Sequence, residues 1–513
     1  MITKLNPFIF KNFHLSLVVI LIALIQANYL LLRGPFWDGW IYETYFVNGN
    51  IEAWKKAFLE NGRPLGGYLL LKIFTFFGTE SYKIISGTLV CGTSWFIYKA
   101  FEQTKSFGKI FSAIVALTTG TVISVETVLA STMTQFYLGY FSFSLGLYLM
   151  VKAAQKTEYP QKIFMVAAAA CAVAAVATAE APLLLLPSYS LFYIMSARSE
   201  KKSFLQKNQG LISLTLFASI PFLLGILFFL ILNSYFPASD GTRKITTDPV
   251  VYLSLFLRYL KILLLAFSPA IAVLIGFAIF VVPRIKITKQ QTKIILLGFV
   301  ILLLGLLPFA LAGRVPSFFG WETRFLLFSG LGMGIIFAIG QELINTLKTS
   351  SAKNIFLTLL FCALISPCLI RIPFWAARQV YDLGLGAKLA SERINLKNVD
   401  VFLVLNKNFL ISGGYRDYEL TCLLQKSLNR KNIYAVSADR LKNSSLEICM
   451  ENFKNSFSLL EADNKKDHQA KVIVEKTNSF FPLQAYLFLL KKFIFPNQSF
   501  DRELDTLIKI HII

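Results

Sequence analysis

The sequence predicts an all-α polytopic membrane protein of about eleven transmembrane helices, followed by a small C-terminal extracytoplasmic α+β domain. Three observations predict it. Of the 513 residues 55% are apolar and the mean hydropathy is +0.59, too apolar for a water-soluble chain of this length. Runs of about 17 to 25 apolar residues recur as far as about residue 371, the length a helix needs to cross a bilayer with its backbone satisfied. Clusters of Lys and Arg fall on alternate loops, as the positive-inside bias requires of a chain that crosses repeatedly.

The first span is about Leu15–Leu32. Further spans follow it and no small-residue cleavage site does, so it reads as a retained helix and not a signal peptide. The stretch Arg33–Gly67 is too polar to cross. Its end, RPLGGYLLLKIFTFFG, is short for a span and reads as an amphipathic helix on the membrane surface. Spans are then expected at about Tyr82–Ala100, Ile110–Leu129, Phe136–Val151, Ile163–Thr178, Pro182–Met195 and Leu211–Leu232. Val250–Phe267 carries Arg258 and Lys261. Its first half reads as a second surface helix and its end as the start of a span reaching about Val282. The last spans are about Ile294–Leu311, Phe325–Ile344 and Ile355–Ile370. The basic loops place the N-terminus in the cytoplasm, and the loop 33–81 and the tail outside. The expected division is a membrane domain over 1–371 and an extracytoplasmic domain over 372–513, in the inner or plasma membrane of the cell.

In the tail, VDVFLVLN, NIYAVSAD and KVIVEK are short and β-branched, like strands, while LTCLLQKSL, ENFKNSFSLLEA and LQAYLFLLKKF have helical spacing. Six cysteines show no CxxC and no metal-ligand spacing; Cys422 and Cys449 could pair in an external tail. A net charge of +22 would suggest nucleic acid for a soluble protein. Here it belongs to cytoplasmic loops, lipid headgroups and phosphate-bearing substrates, and no nucleic-acid partner is expected.

Chemistry-bearing residues collect at the outer ends of spans. Asp38 lies between Trp37 and Trp40. Indoles prefer the interface and stack on sugar faces, and a partly desolvated carboxylate there can take a proton from a hydroxyl. The bland alternative is an aromatic belt with a solvated acid. Glu43 follows five residues on. Arg63-Pro64 opens the surface helix, where Pro suits the first turn and a guanidinium can hold a phosphate. Glu126 and Glu180 end the third and fifth spans on the same side. Arg314, Glu322 and Arg324 sit in or after the late loop GRVPSFFGWETRFLL; Arg324 can neutralise a departing phosphate or simply pair with Glu322. No phosphate-binding glycine loop, HExxH or GxSxG is present.

An acid just after the first span, a long outer loop, a basic-Pro-Leu opening to a surface helix and the short acidic turn FFGTESYK together resemble the GT-C glycosyltransferases. NGRPLGGYLLLKIF is similar to the corresponding stretch of the bacterial glucosyltransferase II type, and to the basic-Pro-Pro-Leu stretch of lipid A aminoarabinose transferases. The resemblance covers about residues 10–345. It implies an integral membrane transferase taking a sugar from a polyprenyl-phosphate carrier to a cell-surface glycan or glycolipid among membrane lipids. On the same basis Asp38 and Glu126 are the catalytic acids, and Arg324 faces the donor phosphate. Trp37, Trp40, Glu43, Arg63, Glu180, Arg314 and Glu322 complete the expected substrate-binding set. Gly39 stands where many members carry a second acid, so nothing supports a metal-bound site. No cofactor is expected, and a divalent cation is unsupported. The rival functions are a flippase for lipid-linked sugars, a polysaccharide polymerase or ligase, and a non-catalytic assembly factor.

Overall fold

A computed structural model describes residues 13–32, 34, 36–60, 63–104, 107–156, 158–179, 181–197, 219–236, 248–281, 289–318, 321–340, 347, 349–407, 416–441, 444–456, 469–477 and 481–513. The chain opens with α1 (Phe13–Leu30). The polar stretch after it folds as three helices, α2 (Gly39–Val47), α3 (Ile51–Glu60) and α4 (Pro64–Phe77). Pro64 takes the first turn of α4, where its missing N–H removes no helical bond. Then come α5 (Ser81–Gln103), α6 (Lys109–Gly120), α7 (Thr134–Ala154), α8 (Glu158–Thr178), α9 (Pro187–Ser196), α10 (Ile220–Tyr235), α11 (Pro249–Ala266), α12 (Ser268–Val281), α13 (Lys289–Leu311), α14 (Gly330–Phe337) and α15 (Ser350–Ser391). Among the described residues, five helices are long and apolar enough to cross a membrane, and five shorter ones are apolar as well.

Three expected spans differ in kind from straight helices. Ile123–Leu129, Ala181–Leu185 and Trp321–Ser329 are 3₁₀ segments joined to short α-helices. In the first, Ile123, Val125, Thr127 and Val128 are β-branched and disfavour α-helix. The expected change from surface helix to span within 250–267 does not break the helix: α11 runs on to Ala266 and is one of the five long enough to cross, and the break falls at Phe267, before the Ser268-Pro269 start of α12. Helix α7 packs between α5 and α8, and α14 against α6 and α13. A Cβ on Gly332 would lie 2.4 Å from the Leu302 backbone nitrogen, so α13 and α14 meet as closely as they do because that residue is glycine.

The expected end of the last span at Ile370 is overrun. Helix α15 has 42 residues and continues through Arg371 to Ser391, with Pro367 and Pro373 inside it. At about 1.5 Å per residue it is about 60 Å long, twice the roughly 30 Å of a hydrocarbon core. Its second half therefore has the length to stand outside the bilayer and carry the tail.

The tail comprises β1 (Val401–Lys407), α16 (Asp417–Leu428), β2 (Tyr434–Ser437), α17 (Leu446–Ser456), β3 (Gln469–Lys476), α18 (Pro482–Ile494), α19 (Asp501–Leu507) and β4 (Ile508–Ile512). The sheet order is β2-β1-β3-β4. β1 runs parallel to both β2 and β3, with Val401 opposite Tyr434 and Gln469, and β4 is antiparallel to β3. The expected small α+β tail is thus a mixed sheet, with β1, β2 and β3 parallel, β4 antiparallel and helices between the strands. Consecutive burial of Tyr434, Ala435 and Val436 reflects a strand covered on both faces, which an alternating pattern would not give. Cys422 and Cys449 are both buried, and neither is in a disulfide. Burial pushes the Cys422 thiol up to about 12, so it stays protonated.

Two apolar cores result. One joins the long helices. The other joins α2–α4 to the tail: Trp40, Tyr45, Trp54 and Phe58 share it with Tyr381, Phe402, Tyr418 and Leu424. The polar loop after α1 and the C-terminal tail therefore fold as one body over the helices.

Candidate active site under the tail

The start of the loop is pinned first. Lys83 donates to the carbonyls of Leu32 (2.6 Å) and Gly34 (2.7 Å) and pairs with Glu80 at 2.8 Å, while Glu80 accepts from the Gly34 N–H at 2.8 Å. These residues belong to the FFGTESYK turn. Trp37 then adopts a left-handed backbone, φ 50°, unusual for a bulky residue. The turn delivers Asp38 to the N-cap of α2, yet its side chain makes no capping hydrogen bond. The half-buried carboxylate instead accepts from the Tyr418 hydroxyl at 2.8 Å, across 380 positions of sequence. Burial, and then the Asp38 charge, hold the Tyr418 hydroxyl well above its usual range, so it remains a donor.

Around this pair stand four charged side chains. Arg324 lies within electrostatic reach of Asp38, Arg63, Glu322 and Arg416. The Arg416 guanidinium meets the Tyr418 oxygen at 3.2 Å and Glu322 at 3.4 Å. Arg63 lies over the Phe136 ring at 5.0 Å. Three guanidiniums and two carboxylates, Asp38 and Glu322, thus gather where the loop, the Trp321–Ser329 turn and α16 meet.

The other expected residues fall in different places. Trp37 is buried edge-to-face on Trp375, with ring centroids 4.7 Å apart, and Trp40 is buried beneath the Lys426 ammonium. Glu43, 8% exposed, pairs with Lys426 at 2.7 Å. Glu126 is fully buried. Its Oε2 accepts from Trp375 Nε1 at 2.8 Å and lies 3.2 Å from Arg371 Nε. Arg371 also donates to the Phe318 carbonyl. Arg314 stands apart beside Tyr259, whose hydroxyl binds its carbonyl at 2.8 Å. Glu180 lies outside the described residues, as do Asn61 and Gly62 before Arg63.

Sequence reasoning passed over Arg371, Trp375, Arg378, Arg416 and Tyr418. The first three recur at i, i+4 and i+7, one buried face of α15, and that spacing was the available signal. Arg378 pairs with Glu419 at 2.7 Å, with exposures of 1% and 0%, and fixes α16 to α15. Beside the site, an apolar cavity of 530 Å³ between α3, α4 and α10 is lined by Trp54, Phe58, Leu65, Tyr68, Ile231 and Tyr235. Among the described residues no cluster of three or more His, Cys, Asp or Glu could hold a metal ion.

The apolar helices and the small sheet define a mostly helical membrane protein with a compact C-terminal tail. No family model matches the chain, and no curated protein matches it. Among solved structures it is similar to ArnT from Cupriavidus metallidurans bound to undecaprenyl phosphate, at 11% identity and a TM-score of 0.47, over 94% of this chain and 95% of that one. It is similar also to the apo state of the same protein, at 11% identity and a TM-score of 0.45 over the same shares.

Proposed function

We propose that the chain is an integral membrane glycosyltransferase. It moves a sugar from a polyprenyl-phosphate carrier to a hydroxyl of a cell-surface glycan or glycolipid on the outer face of the membrane. The observation that carries this reading is the half-buried Asp38 carboxylate set beside Arg63, Arg324 and Arg416 at the mouth under the tail. A base and a group of cations at one mouth suit transfer away from a phosphate. The sequence resemblance of Asp38 and Arg63-Pro64 to GT-C enzymes points the same way. The adjacent apolar cavity is of a size and lining suited to part of a lipid chain.

In this reading Asp38 takes the acceptor hydroxyl proton as that oxygen attacks the anomeric carbon. The bond from that carbon to the phosphate oxygen breaks with inversion. Arg324 and Arg63 balance the charge that appears on the departing polyprenyl phosphate. Glu126, already engaged by Trp375 and Arg371, orients the wall behind Trp37 and does not reach the acceptor. The membrane domain would comprise 1–371 with the loop 33–81, and the tail 372–513 would lie on the outer side with the site.

The test is sugar transfer in vesicles supplied with a polyprenyl-phosphate sugar. Asp38→Asn is expected to lower turnover by about 10²–10⁴-fold at normal protein level. Unchanged transfer removes Asp38 from the mechanism. Lipid-linked sugar that crosses the bilayer unaltered, with no transfer, replaces the transferase by a flippase.

A further inference from the structure

We propose that the tail completes the active site through Tyr418, which positions the Asp38 carboxylate by donating to one of its oxygens and leaves the other to take the acceptor's proton. The inference rests on the transferase reading above and adds a residue to it.

The geometry carries it in three steps. Helix α16 is held without this hydrogen bond: Arg378–Glu419 is a fully buried pair, Lys426 reaches Glu43, and Leu420, Cys422 and Leu424 are buried in the shared core. The Tyr418 hydroxyl is therefore not needed to dock the helix. Asp38 in turn does not spend its carboxylate on capping α2. Among the described residues, Tyr418 is the hydrogen-bond partner of Oδ1, and no group bonds Oδ2. A base with one oxygen fixed and the other open is the arrangement in which a third group orients the proton acceptor.

Arg416 adds to this. Its guanidinium contacts the Tyr418 oxygen at 3.2 Å and withdraws charge from it, making the phenol a better donor to Asp38. The charged and titratable groups facing the carboxylate are Arg63 before α4, Arg324 and Glu322 on the late turn, Arg416 and Tyr418 at the start of α16, and Tyr42 on its own helix. Of these Tyr418 alone bonds it directly, among the described residues.

Without the donated bond the carboxylate is free to turn, and its open oxygen is no longer aimed at the acceptor. Tyr418→Phe deletes the hydroxyl and keeps the ring. It is expected to lower kcat about tenfold or more with little change in donor KM. The double variant Asp38→Asn/Tyr418→Phe should transfer no worse than Asp38→Asn alone, because Tyr418 acts through Asp38.

An unchanged kcat overturns the inference. So does a loss of activity that only tracks a loss of folded protein, or losses that multiply in the double variant. If Asp38→Asn abolishes transfer while Tyr418→Phe is indistinguishable from the parent, the inference fails and the transferase reading stands. If Asp38→Asn transfers normally, that reading itself fails.

Discussion

Asp38 and Glu126 are the two acids that the sequence resemblance pairs in one mechanism, and the structure gives them opposite surroundings. Asp38 is half-buried and bonded by a neutral hydroxyl, with cations near it but, among the described residues, no tight ion pair. Glu126 is fully buried, bound by an indole N–H and a guanidinium that is itself 2% exposed. Trp375 links the two environments, donating to Glu126 while its ring meets Trp37, the neighbour of Asp38. The difference separates two uses of a carboxylate. A base must exchange a proton with something that arrives, so it needs an open lone pair. A buried ion pair has exchanged that freedom for fixed geometry. In the proposed transfer the first acid serves as the base and the second as part of the wall behind it.

The comparison breaks most sharply if the two acids respond alike. Asp38→Asn should cost about 10²–10⁴-fold in transfer and leave thermal stability in detergent nearly unchanged. Arg371→Met should do the reverse in its primary effect. It strands Glu126 as an unpaired buried charge, which typically costs about 3–5 kcal/mol, and should appear as a large drop in unfolding midpoint or in folded yield. An Arg371→Met protein as stable as the parent would mean that Glu126 is not the ion-pair partner described. Trp375→Phe keeps the ring against Trp37 but withdraws one donor from Glu126. About 1–3 kcal/mol of stability should be lost, measured by denaturant titration, since a buried acceptor loses a bond it cannot replace with water.

Legibility followed the range of the interactions. The turn chemistry that places Asp38 and opens α4 at Pro64 is local, and it could be read from RGPFWDGW and RPLGG. The β-branched runs that became β1, β2 and β3 are local too. What could not be read joins distant segments. Tyr418 reaches Asp38 from the far end of the chain, and only a folded tail brings them together. Arg371 reads as the charged end of a span, because a guanidinium after an apolar run usually marks the interface. It is instead mid-helix and buried, because Glu126 is there to meet it. Prolines at 367 and 373 disfavour a continuous helix, but they are tolerated where neighbours satisfy the freed carbonyls, and Ser366 Oγ donates at 2.9 Å to the Ala363 carbonyl that Pro367 leaves without its helical donor. β4 was missed because IKIHI is too short and polar to stand out before its partner β3 is known.

The smallest expected effect lies at the rim, where Lys426 pairs with Glu43 at 2.7 Å, and it sharpens the contrast between buried and exposed charge. The lysine side chain is 60% exposed, so water and salt screen most of the attraction. Glu43 is only 10% exposed on its side chain, yet without Lys426 it can still turn toward the same solvent. Lys426→Ala should therefore lower stability by no more than about 1 kcal/mol, and raising salt should weaken the parent until it matches the variant. The Arg371–Glu126 pair, out of reach of mobile ions, should show no such salt dependence. A Lys426→Ala penalty as large as that of Arg371→Met, or one that salt does not shrink, would show that α16 is held to the loop chiefly by charge. The shared apolar core of Trp40, Tyr45, Tyr418 and Leu424 would then be secondary, and the hydroxyl of Tyr418 would sit on a helix free to lift away from Asp38.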